Sequence, residues 1–216
     1  MPKGNQYDYL LEEIKVDLQK MHSFSKNYSF FISSRKYNIY MVYPHTISSK
    51  INPTRIFQLF DKYIQKIYVW LFIANQYASP TCSENLSIYI YMTNHKKRLP
   101  KRKLEPLSRT NCNSAYTMTC TPEGTENEIY IFRKEEWFKI LTHELFHALG
   151  FDYSGIVDEN LNHSINEIFP LHIDLKIYEA YCEFWADLLN SVFASFYGGK
   201  TSVSNLLKKT FSGSLK

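Results

Sequence analysis

The 216-residue chain predicts an α+β domain in which a small mixed sheet packs on two helices. Three observations lead there. Segments of period-two apolar alternation are interleaved with segments of helical periodicity. Residues 135–150 read as an amphipathic helix carrying His143-Glu144-Leu145-Phe146-His147. Residues 175–196 read as a second helix with Glu179, Glu183 and Asp187 four apart, which places the three carboxylates on one face.

Taken in order, residues 7–22 place Leu10, Ile14, Leu18 and Met21 at helical spacing. Tyr28–Ile32 and Tyr37–Tyr43 read as two strands about a Ser33-Ser34-Arg35-Lys36 turn. Residues 54–76 form the clearest long helix, with Ile56, Phe60, Tyr63, Ile67, Trp70 or Leu71, and Ala74 as its buried stripe. Leu86–Met92 and Glu128–Phe132 alternate as strands, and the second delivers the chain to the helix at 135–150. In that helix Trp137, Ile140, Leu141, Leu145 and Leu149 recur at helical spacing, Glu135 and Glu136 open it, and Gly150 closes it as a C-cap glycine. Residues 151–172 are then a connection, and 197–216 a cap or loose tail. The whole reads as one domain over 1–216, with a helical and hairpin part at 1–80 and a core at 86–196.

A hydrophobic content of 44% sets the chain apart from disordered sequences, and its length can bury a substantial core. The polar start, Met1-Pro2-Lys3-Gly4-Asn5-Gln6, has no apolar signal segment, and the apolar run at Tyr68–Ala74 is too short to span a bilayer. The expectation is a soluble intracellular protein. Cys82, Cys112, Cys120 and Cys182 lack CxxC spacing and are read as reduced core thiols. Abundant Tyr and Phe, with frequent Lys, Asn, Ile and Ser, match an AT-rich coding genome such as a large DNA virus. That source would place the chain in the host cytoplasm or the virion.

The pentapeptide at 143–147 carries the most chemistry. Two histidines four apart on a helix project from one face, so both imidazoles reach a single metal ion. Zinc suits that donor set, and a catalytic site leaves a position open for water. Glu144 between them is placed as the general base. A third ligand is required. A histidine six residues after His147 would complete one known arrangement, but that position is Tyr153, and no methionine follows the motif. The helix at 175–196 offers a carboxylate instead, Glu183 or its rival Glu179 one turn earlier.

Glu183-Phe184-Trp185-Ala186-Asp187 resembles the ExxAD second motif of the gluzincin metallopeptidases. The resemblance spans roughly residues 113–190, and its firm part is the two motifs. It implies a compact zincin-like fold and zinc-dependent hydrolysis of a protein or peptide substrate. It makes Glu183 the third zinc ligand and Asp187 the residue that holds a motif histidine by its other ring nitrogen. Glu179, with Glu183 one turn on, satisfies the same geometry and stays open. Asn113-Ser114-Ala115 precedes the motif where thermolysin-like enzymes carry a substrate-binding edge strand, and it also reads as a plain turn. A residue facing the oxyanion is open among Tyr178, Tyr181, His163 and His172. A zinc-binding but catalytically idle structural or assembly protein is the alternative, against which the intact Glu144 argues.

His95 to Lys103 packs six Lys and Arg at 96–98 and 101–103. That run reads as a solvated loop, a nuclear-localisation or nucleic-acid patch, or a rim that attracts acidic substrates.

Overall fold

A computed structural model describes residues 12–20, 22–45, 51–98, 114–121, 125–154, 159–169 and 176–198, with 202, 204, 205 and 208. The elements run α1 (Glu12–Lys20), β1 (His22–Ile32), β2 (Arg35–His45), α2 (Pro53–Asn75), β3 (Asn85–Tyr91), β4 (Ala115–Thr117), β5 (Glu126–Ile131), α3 (Trp137–Ala148), α4 (Glu159–Ile168) and α5 (Ile177–Gly198). The class is α+β, with a mixed sheet in the order β1-β2-β3-β5-β4. β1 and β2 form an antiparallel hairpin, β2, β3 and β5 run parallel, and β4 closes one edge antiparallel to β5.

The hairpin turn is Ser33-Ser34 alone, because Ile32 already pairs with Arg35, and both strands run eleven residues. β1 alternates half-buried with exposed side chains, so its sequence holds too few apolar residues to announce its length. The hairpin and the later strands share one sheet through the β2–β3 pairing.

Strand alternation separates two faces. Ile39 and Met41 on β2, Ile88 and Ile90 on β3, and Ile129 and Ile131 on β5 point to the main core, where α2 and α3 cover them. The opposite face carries Tyr40, Tyr89 and Tyr130 at matched register, with rings stacked 4.7 and 4.8 Å apart, and Ile14 of α1 packs beside them. Helix α2 starts where Asn52 accepts a bond from Thr54 N–H (2.9 Å), with Pro53 inside the first turn. Its expected stripe is buried at Ile56, Phe60, Ile67, Trp70, Leu71 and Ala74. No helix of the described residues is long and apolar enough to cross a membrane.

Two further expectations change. Residues 159–168 form a helix inside the segment read as a connection. Cys82 and Cys120, read as reduced thiols, are paired as a disulfide with Cα atoms 5.2 Å apart, while Cys182 is free and buried. Thirty-eight residues separate the two partners. The approach of the loop after α2 to the β4–β5 connection creates the pair, and no local spacing announces it.

Candidate metal centre

Helix α3 owes its position to its apolar side and its sharp end. Ile140, Leu141 and Leu145 are buried, and Trp137 and Phe138 pack on Tyr63 and Phe193. At the C-terminus Phe151 N–H bonds Phe146 C=O (2.8 Å) and Gly150 N–H bonds His147 C=O (3.1 Å), a Schellman motif. Gly150 sits at φ +72°, and the Phe146 and Phe151 rings meet at 5.5 Å, the apolar contact that accompanies this motif. A Cβ on Gly150 would lie 3.3 Å from both Cys120 Cβ and Cys82 Sγ, so the disulfide closes off that space. Ser83 Oγ–H donates to Ala148 C=O, fixing the last turn to the loop after α2.

Helix α5 lies against α3 through aromatic contacts. Phe146 meets Tyr181 at 6.1 Å and Trp185 at 6.3 Å, and Phe138 meets Phe193 at 5.0 Å. Those contacts turn the acidic stripe of α5 toward α3 with the two helices antiparallel. The result is a ladder of facing charges. Glu179 meets His147 and His143, Glu183 meets His143 and Lys139, and Asp187 meets Lys139. Lys139, His143 and His147 repeat every four residues, as do Glu179, Glu183 and Asp187, so each rung advances one helical turn.

At the Glu179 rung three atoms converge. His143 Nε2 is 3.1 Å from His147 Nε2, and Glu179 Oε2 lies 3.2 Å from the first and 3.4 Å from the second. Tetrahedral ligands at about 2.0–2.1 Å from zinc stand about 3.3 Å from one another, so the triangle has the dimensions of three ligands around one ion. Among the described residues, His143, His147 and Glu179 form the group that could hold a metal ion. Glu183, expected as the third ligand, lies instead at the outer side of His143, 3.3 Å from Nδ1, with its other oxygen 2.5 Å from Lys139 Nζ. Asp187, expected to hold a motif histidine, pairs with Lys139 at 2.9 Å. The two-carboxylate pattern is therefore found one turn earlier than the ExxAD resemblance implies. The geometry favours Glu179 as the inner carboxylate and Glu183 as the outer one.

The carboxylate that grips a motif histidine most closely was missed in the sequence. His147 Nδ1–H donates to Asp152 Oδ2 at 2.6 Å, which leaves the Nε2 lone pair directed at the centre. Asp152 is buried, and its Oδ1 accepts from Ser154 N–H (3.2 Å) and Oγ–H (3.0 Å). Only five residues separate Asp152 from His147, and an acid so soon after a capping glycine was the available signal.

Electrostatics follow from these neighbours. Desolvation pulls the His143 imidazolium down, but the carboxylates of Glu179 and Glu183 outweigh it and raise the ring to about 9. His147 is raised in the same way by Glu179 and Asp152 against its desolvation. The two histidines hold Glu179 well below the usual carboxylate range, and His143 with Lys139 lowers Glu183 to about 2. Glu144 differs: desolvation pushes its carboxyl up to about 7, with the two histidines opposing.

These groups open on a cleft of about 330 Å³. Its floor is one face of α3 and its N-cap, where Lys139 and Ile140 stand three and four residues after Glu136, and His143 and Glu144 one turn further on. Glu179 and Glu183 of α5 form one wall; Ser114 and Ala115, leading into β4, form the other. Lys97 stands at the Glu136 end, 4.0 Å from that carboxylate. Among the described residues β4 pairs with β5 alone and stands at an edge of the sheet, beside the cleft. Of the expected edge residues, Ser114 and Ala115 thus border the cleft, while Asn113 lies outside the described residues, as do 99–103 of the basic run and His172. Tyr178 approaches His147 at 6.2 Å between ring centres, Tyr181 packs on Tyr153 and Trp185, and His163 is exposed on α4 beside Glu167. Compared with protein-family models, curated proteins and solved structures, the chain matches none.

Proposed function

We propose that this chain is a zinc-dependent peptidase of zincin-like architecture, related in its site plan to the gluzincins. The observation that carries the reading is the triangle of His143 Nε2, His147 Nε2 and Glu179 Oε2, with sides of 3.1, 3.2 and 3.4 Å, at the foot of a cleft that also holds Glu144. Two imidazoles and one carboxylate are the ligand set of many hydrolytic zinc sites. When bound, zinc supplies Lewis acidity toward water and toward a peptide carbonyl.

The chain's own residues do the remaining work. Asp152 fixes the His147 tautomer, and Glu183 braces the outer side of His143. An extended substrate adds to β4, the edge strand of the described sheet, by backbone hydrogen bonds, which brings its carbonyl groups over the α3 face. Glu144, which lines the cleft beside His143, takes a proton from the attacking water and returns it to the leaving amine. Its placement in the cleft beside the two motif histidines weighs against an idle zinc-binding role.

The test is metal content measured alongside hydrolysis of unstructured peptides. Native protein is expected to carry one zinc per chain and to cleave peptides. Glu144→Gln is expected to keep the zinc and lose at least about 10²-fold in rate, the scale of a general base. Protein that binds no zinc at neutral pH, or a Glu144→Gln variant as active as the native chain, contradicts the reading.

A further inference from the structure

We propose that the cleft selects extended peptides bearing an acidic side chain, with Lys97 as the partner of that side chain about three residues from the bond to be cleaved. The proposal rests on the peptidase reading above for the meaning of the cleft, and on separate observations for its charge.

The cleft floor supplies a ruler. Glu136, at the N-cap of α3, precedes His143 by seven residues, which at 1.5 Å per residue is about 10 Å along the helix axis. An extended peptide advances about 3.3 Å per residue, so a group bound beside Glu136 lies about three residues from a carbonyl held at His143.

The charges along that ruler are unevenly matched. Glu179 faces both histidines, and Glu183 faces His143 and Lys139. Lys139, in turn, is clamped by Glu183 at 2.5 Å and Asp187 at 2.9 Å, which leaves it poorly placed to receive a substrate. Among the described residues Lys97 is the other lysine lining the cleft, and it meets Glu136 loosely, at 4.0 Å, with both side chains about half exposed. An ion pair of that kind contributes little and exchanges readily for a substrate carboxylate. Exposed Lys96 and Arg98 flank Lys97, and exposed Lys134 lies on the adjoining segment, where Lys134 N–H bonds Thr93 C=O (3.0 Å). The local field at this end of the cleft therefore favours an anion over a cation. The basic run so acquires a place: its described part ends at the cleft rim.

Nucleic acid is the competing ligand for such a patch. The cleft favours a peptide, because one wall is the edge strand of the described sheet, and Glu144, Glu179 and Glu183 oppose the continuous charge of a phosphate backbone laid along the cleft, whereas a single acidic side chain is held at the Lys97 end, away from them.

The experiment uses zinc-loaded Glu144→Gln full-length chain and measures binding, so that it does not depend on turnover. Fluorescent neutral peptides carrying a single Glu, Gln or Lys, moved one position at a time, are titrated by anisotropy at low salt. The Glu series is expected to bind about fivefold more tightly than the Gln series at one position, the scale of a half-exposed charge pair. Adding Lys97→Glu should reverse the order so that the Lys series binds best. A matched charge change on α2, Lys62→Glu, should leave the preference unchanged. Equal binding of the three series, a preference that survives Lys97→Glu, or displacement of the peptide by a single-stranded oligonucleotide at lower concentration than by unlabelled peptide would each overturn the proposal. Cleavage of the same peptides by native chain is read separately. Its absence would count against the peptidase reading, while the binding order would still decide the role of Lys97.

Discussion

The two ends of α3 are built to different standards. At the C-terminal end the contacts are close and mostly buried. The Schellman turn, Gly150 against the Cys82–Cys120 pair, Ser83 on Ala148 and Asp152 on His147 leave that end one arrangement. At the N-terminal end Glu136 takes a left-handed conformation (φ 55°), has no side-chain cap bond, and meets the loosely held Lys97 across the cleft rim. The ligand geometry is thus set from the closed end. The open end keeps exposed charges that can change partners.

The largest expected break in that contrast comes from the ladder between the ends. Removing an inner ligand should cost more than removing its support, so Glu179→Ala is expected to weaken zinc by well over 10²-fold and Glu183→Ala by about tenfold, the lower end for a supporting group. Equilibrium zinc titration against a competing chelator reads both. A larger loss for Glu183→Ala would transfer the ligand role to Glu183, as the ExxAD resemblance implies.

Next comes Asp152. Its bond to His147 is shorter and more buried than the Glu183 contact to His143, so Asp152→Ala should weaken zinc about 10–100-fold, more than Glu183→Ala does. The same titration decides it, and equal effects would erase the contrast between the two histidines.

A smaller effect is expected at the closed end itself. Gly150→Ala forces a side chain into the left-handed region and against the disulfide, and should cost about 1–2 kcal/mol in urea unfolding. A neutral outcome would mean the cap is not rigid.

Least in size is a pH effect at Lys66, whose ammonium lies 3.5 Å from the centre of the Phe138 ring in the first turn of α3. Burial lowers this lysine from 10.5 to about 8. Between those values the unfolded chain binds more protons, so the Lys66 contribution makes stability rise with pH from about 8 to 10.5, and the penalty is fully present below 8. Lys66→Met should therefore be more stable than native chain below pH 8, with an advantage that shrinks toward pH 10.5. A constant advantage across that range would contradict the burial argument.

Parts of this arrangement were legible in the residues because they are periodic. His143, Glu144 and His147 share a face by spacing alone, and the α2 stripe was readable for the same reason. What spacing cannot supply is how far one helix slides along another. Glu179, Glu183 and Asp187 repeat every turn, so a slip of about 5.4 Å exchanges the candidate ligands without altering the pattern. The aromatic contacts of Phe146 with Tyr181 and Trp185 set that slide, and they are tertiary. Lys139, spaced like the two histidines, was the overlooked clue that the acidic stripe faces a matching one. The disulfide and the cleft position of Lys97 likewise depend on loops that meet only in the fold.

The central claim is that His143, His147 and Glu179 hold one zinc ion. An anomalous difference map recorded at the zinc edge from crystals of the zinc-loaded chain tests it directly. The account predicts a single strong peak about 2.0–2.2 Å from both Nε2 atoms and a Glu179 carboxylate oxygen. A peak bound by Glu183 in place of Glu179, or no peak between the two histidines, would contradict it.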